Sequence, residues 1–89
     1  MGTPLNFPNQ SRSYDATRRR VRFWGYDRSL EISFFVDADA LMPVAADVDV
    51  AEADLLQAFD DGRDRICEVA ARVYARGQGY AHVLTASDF

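Results

Sequence analysis

Two stretches of the chain alternate apolar and polar residues with the period of a β-strand. Across Leu30–Val36, Leu30, Ile32, Phe34 and Val36 form an unbroken apolar face, while Glu31, Ser33 and Phe35 point the other way. Across Arg20–Tyr26, Val21 and Phe23 share one face, and Arg20, Arg22, Trp24 and Tyr26 share the other. Both stretches are rich in β-branched and aromatic residues, and Asp27-Arg28-Ser29 joins them. The spacing predicts a hairpin of strands 20–26 and 30–36, with Val21 opposite Phe34, Phe23 opposite Ile32, Arg22 opposite Ser33 and Trp24 opposite Glu31. In that pairing the apolar faces coincide; a one-residue slip would separate them.

The period then lengthens. Asp37–Met42 reads as a short helix over 38–42, with Asp37 or Asp39 as its cap and Pro43 ending it. Val44–Val48 is a linker. Asp49 followed by Glu52 has the spacing of a capping box. Leu55, Phe59, Gly62, Ile66, Val69, Ala70, Val73 and Tyr74 then recur at steps of three and four. This predicts one helix over 50–76, closed by Gly77 in a left-handed conformation. Such a helix is about 40 Å long at 1.5 Å per residue, against roughly 30 Å for a domain of this size. It must overhang the sheet or bend at Gly62. Residues 80–85 form a third strand, Leu5–Phe7 a short edge strand, and Ser11–Thr17 a turn or a single helical turn. The expected architecture is a single α+β domain over residues 1–89: an antiparallel sheet with the long helix on one face.

Composition narrows the setting. The 89 residues are 48% apolar with six Phe, four Tyr and one Trp, enough for one core without staples. One cysteine, Cys67, excludes an internal disulfide framework and fits a reducing compartment, or an oxidising one in which disulfides go unused. No stretch approaches a membrane span, no secretion signal is evident, and Asn6 breaks the myristoylation pattern after Gly2. A cytoplasmic location is expected. All ten basic residues are Arg, and the charge is sharply sectioned. Residues 1–30 carry +4, residues 31–61 carry −9 and residues 62–89 carry +1, within a total of −4.

Phe7-Pro8-Asn9, Ser13-Tyr14-Asp15, Val21-Arg22-Phe23-Trp24-Gly25-Tyr26-Asp27, Ala58-Phe59-Asp60, Arg63-Asp64-Arg65-Ile66, Val73-Tyr74-Ala75-Arg76-Gly77 and Ser87-Asp88-Phe89 stand in this order along the chain. Together they resemble a short bacterial family known only as domain of unknown function 1488. The likeness runs nearly the whole length. It implies a compact α+β domain and brings no catalytic residues with it.

The candidate chemistry is sparse. His82 is the single histidine and sits in an apolar strand; Cys67 sits on the helix as a small core residue, so a Cys67–His82 dyad is no motif. Asp37, Asp39, Asp47 and Asp49 are too interrupted for a Ca²⁺ loop. No enzyme activity, metal or cofactor is expected. The informative constellation is Arg20, Arg22, Trp24, Tyr26 and Phe35 on one sheet face. Sheet-based RNA readers combine basic and aromatic side chains in this way, but a pI near 4.7 disfavours a nucleic-acid partner. The leading expectation is a non-enzymatic interaction or regulatory accessory domain whose partner is another protein or a second copy. Asp47, Asp49, Glu52 and Asp54 would be the acidic complement in that copy. The competing expectation is internal cover, with Leu5, Phe7 and Tyr14 folded over Trp24 and Phe35.

Overall fold

The computed structural model describes residues 5–8, 11–42, 50–77 and 79–89. Its strands are β1 (Leu5–Asn6), β2 (Ser13–Asp15), β3 (Arg20–Asp27), β4 (Leu30–Asp37) and β5 (Ala81–Leu84). Its helices are α1 (Ala38–Leu41), α2 (Glu52–Asp61) and α3 (Arg63–Gly77), with a 3-10 turn at Ala86–Asp88. The fold is α+β, with the helices packed on a five-stranded mixed sheet.

β3 and β4 form the central hairpin, and all eight residues of each strand are paired. Buried residues alternate as the sequence requires: Val21, Phe23 and Gly25 from β3, and Ile32, Phe34 and Val36 from β4. The register is displaced by two residues from the expected one. Val21 faces Val36, Phe23 faces Phe34, Arg22 faces Phe35 and Trp24 faces Ser33. A two-residue shift keeps every side chain on its face, so the pattern alone could not separate the two registers. The turn decides between them. Asp27 pairs with Leu30, leaving only Arg28-Ser29 as the loop, and Arg28 takes a left-handed φ of 61°.

β1 and β2 lie end to end along the free side of β3, antiparallel to it. The polar segment expected to be a turn is therefore partly a strand, with Ser13 opposite Arg22 and Asp15 opposite Arg20. The turn follows it, where Asp15 Oδ1 accepts from the Thr17 and Arg18 amides at 3.1 and 3.3 Å. On the far side of β4, β5 runs parallel to it, not antiparallel as expected. The helical crossover between them returns the chain to the end of the sheet from which β4 began, so the next strand runs the same way.

The long helix is interrupted at Gly62, the cap of α2, where the backbone departs to φ −103°, ψ 13°. Hydrogen bonding continues across the junction, from Gly62 N–H to Ala58 O and from Ile66 N–H to Gly62 O. The buried stripe of Leu55, Phe59, Ile66, Val69, Ala70 and Tyr74 stays in phase. Asp37 is the N-cap of α1 as expected, though its side chain makes no capping bond. Two helix ends differ from expectation: Ala51, not a side-chain cap, precedes α2, and Gly77 is simply the last residue of α3, the left-handed glycine being Gly79 at φ 133°. Pro43 and Asp49 lie outside the described residues.

One core joins sheet and helices. Phe23 stacks on Phe34 at 5.4 Å between centroids and meets Phe59 of α2 at 5.1 Å. Leu5 is buried with them, and Phe7 packs on Phe23 and Phe34 at 5.8 and 5.9 Å. Gly25 leaves the space for that ring: a Cβ there would sit 2.7 Å from Phe7 Cε1 and 2.8 Å from Asn6 O.

Candidate functional site

Alternation along β3 and β4 sets Arg20, Arg22, Trp24, Tyr26 and Phe35 on the face opposite the helices, all five half-buried. The register fixes their neighbours. The Arg20 guanidinium lies over the Phe35 ring at 4.2 Å, and that of Arg22 over the Trp24 ring at 4.7 Å. Each such pair contributes about 0.5–1 kcal/mol near the surface. Arg22 also donates to Ser33 Oγ at 3.0 Å and to Glu31 Oε2 at 3.3 Å, so it is held flat along β4. Arg20 approaches Asp15 Oδ2 of β2 only to 3.9 Å, and its side chain is 14% exposed. Its Nε is buried without a hydrogen-bond partner.

Among the described residues, the N-terminal side chains expected to cover this face do not do so. Leu5, Phe7 and Tyr14 all pack against the helix-side core, correcting the expectation of internal cover over Trp24 and Phe35. The parity of β2 gives the reason: Tyr14 pairs with Val21, a core position, while Ser13 and Asp15 take the outer face. β5 extends the outer face on the other side, with Ala81 beside Ser33 and Val83 beside Phe35. The sequence pattern missed this extension because it depends on the direction of β5.

The described part of the proposed acidic complement is not gathered against these arginines within the chain. Glu52 and Asp54 are exposed in the first turn of α2, on the helix side of the sheet. Asp47 and Asp49 lie outside the described residues. At the end of β4, burial pushes the Asp37 carboxyl above its ordinary range; Asp39 adds to this and Arg20 opposes it.

A second polar group ties the helix layer to the hairpin tip. Tyr74 donates its hydroxyl to Asp27 Oδ2 at 2.5 Å, which raises the phenol above its ordinary value, with burial and nearby Asp27 charge adding to the effect. His82 stacks on Phe34 at 5.6 Å and meets Tyr74 edge-on at 5.8 Å, while its Nε2 is buried without a partner. Cys67 is half-buried, and burial pushes its thiol up, which keeps it protonated and a poor nucleophile at neutral pH.

The charged side chains of the helix surface are engaged with close neighbours. Arg65 reaches Glu68 at 3.3 Å, Asp61 accepts from Gln57 at 2.9 Å, and Arg72 donates to the Asp88 backbone oxygen at 2.6 Å. Asp60 is gripped by Arg12 through two bonds of 2.9 Å, with Arg63 at 3.9 Å. Arg12, Asp60 and Arg63, with Asp61 and Asp64, line an open hollow of about 430 Å³. Among the described residues no three metal-ligating side chains gather, and no helix is long and apolar enough to cross a membrane.

The architecture has a solved counterpart. A protein of unknown function from the DUF1488 family of Shewanella loihica PV-4, determined at 1.60 Å, superposes with a TM-score of 0.74 at 21% identity. The match covers 93% of this chain and 94% of that one. No curated protein matches the sequence. The family model of DUF1488, proteins of unknown function, matches residues 5–83, which includes the β3 motif that carries the outer face: the chain belongs to the DUF1488 family.

Proposed function

We propose that this chain is a non-enzymatic protein-interaction domain whose outer sheet face docks an acidic protein surface. The reading rests on the face formed by Arg20, Arg22, Trp24, Tyr26 and Phe35. It is aromatic and basic in a chain of net charge −4, and Leu5, Phe7 and Tyr14 turn away from it. The acidic surface nearest to hand is that of a second copy, whose first α2 turn presents Glu52 and Asp54. Nucleic acid is the weaker reading. Base stacking needs open ring faces, whereas Arg20 and Arg22 already lie on Phe35 and Trp24.

Trp24 is the sole tryptophan, so its fluorescence reports on this face alone. A peptide spanning residues 45–56 is titrated into the protein at low and high salt. A saturable change in Trp24 emission at low salt supports the proposal, provided that it weakens with salt and disappears in Arg20→Ala/Arg22→Ala. No change at low salt rules out the acidic segment as the occupant. A gel shift with random single-stranded RNA that is lost in the same double variant would transfer the face to nucleic acid.

A further inference from the structure

β5 is the last strand of the sheet, and among the described residues nothing pairs with its outer side. The parallel ladder sets which backbone groups are left over. Ser33 N–H donates to Tyr80 O at 2.8 Å, so the even positions of β5 turn their amides and carbonyls toward β4. Ala81 and Val83 turn theirs outward. The free edge stops at Leu84, because the Thr85 amide is taken by Asp88 Oδ2 at 2.8 Å. Natural edges are blunted by charges, prolines or bulges; Ala81-His82-Val83-Leu84 has no charge and no proline. Val83 is 45% exposed and Tyr80 beside it 70%.

We propose that the β5 edge is a self-association site, at which β5 of a second copy pairs antiparallel about a two-fold axis at His82. This surface is distinct from the outer face and does not depend on that face's occupant. The outward pattern is its own complement. A two-fold at His82 sets Ala81 opposite Val83 of the second copy and Val83 opposite its Ala81, so that every outward amide and carbonyl of both strands is bonded. Charge favours the same partner. The strand is neutral, and residues 62–89 carry only +1, the least charged third of the chain. The ionic groups beyond Leu84 are already engaged with one another, Arg72 on the Asp88 backbone and Arg76 at 3.7 Å from its carboxylate. The two sheets then become one, and the Phe35–Val83 side of each outer face continues into that of its mate.

Sedimentation velocity over a wide concentration range tests this. Val83→Pro removes an amide that points away from β4 and so spares the internal ladder. The expected result is a dimer that is insensitive to salt, weakened about tenfold or more by Val83→Pro and unchanged by Arg20→Ala/Arg22→Ala. A monomer at every concentration overturns the proposal. So does a dimer that survives Val83→Pro and is lost with the arginines, a result that would leave the outer-face reading standing. If Val83→Pro fails to fold, Ala81→Lys and hydrogen exchange decide. Protection of the Ala81 and Val83 amides must rise with protein concentration; protection that does not change with concentration overturns the site.

Discussion

Tyr74 and Asp27 are 47 residues apart and joined by one hydrogen bond of 2.5 Å, which fastens α3 to the last residue of β3. Below the ordinary tyrosine value of 10.0 the phenol is protonated whether the chain is folded or not, and the bond contributes in full. At higher pH the unfolded chain ionises first, because the folded phenol holds its proton more tightly, so this contribution is lost as pH rises through the folded value. Tyr74→Phe is expected to lower Tm by a few degrees at neutral pH and to flatten the alkaline fall in stability. Thermal melts of both proteins from neutral pH to about pH 11 measure it.

Gly25 is a packing position. In Gly25→Ala the new methyl meets the Phe7 ring and the Asn6 carbonyl at distances real side chains do not tolerate. The expected loss is about 1–3 kcal/mol. Truncating Phe7 in the same background relieves only the ring contact, since the carbonyl remains. A double-mutant cycle by urea denaturation should therefore show favourable coupling without full recovery.

Arg28 holds a left-handed conformation that costs a non-glycine residue about 1–2 kcal/mol, with no ion pair to it among the described residues. Arg28→Gly is expected to stabilise the protein by roughly 0.5–1 kcal/mol, glycine's greater unfolded freedom taking back part of the gain. Equilibrium unfolding would show a higher midpoint at unchanged slope.

The Asp37 carboxyl is raised above its ordinary value of 3.8, so the folded state favours its neutral form. Its contribution to stability is greatest in acid and is lost as pH rises through the folded value. Asp37→Asn is therefore expected to raise Tm modestly at pH 7, and that advantage should shrink as both proteins are taken toward pH 3. No capping bond is sacrificed, because the Asp37 side chain makes none to α1.

Much of this was legible in the chain because period-2 alternation states which side chains share a face. Arg20, Arg22, Trp24, Tyr26 and Phe35 fall together for that reason, and the helical stripe through Ile66 and Tyr74 is read in the same way. Direction and offset are not written in that pattern. The hairpin register turns on an arginine in a left-handed turn, where no Asn-Gly or Asp-Gly signal stands. β2 is polar on its outer side and carries only Tyr14 inward, which reads as loop. The parallel sense of β5, and with it the extension of the outer face by Ala81 and Val83, follows from the crossover and not from any residue in the strand. The inward turn of Leu5 and Phe7 had one available signal, a glycine in the middle of the most aromatic strand.

The parallel pairing of β5 with β4 also orders the assembly of the sheet. β3 and β4 meet across a two-residue turn, a local closure that forms early. Ser33 and Ala81 meet only after the 47 intervening residues have been gathered, so the sheet's last strand carries the largest single loop-closure cost. β5 is thus the strand that docks late and opens first, while the hairpin behind it stays closed. Amide exchange through partial opening should release Phe35 and Leu84 ahead of Phe23 and Phe34.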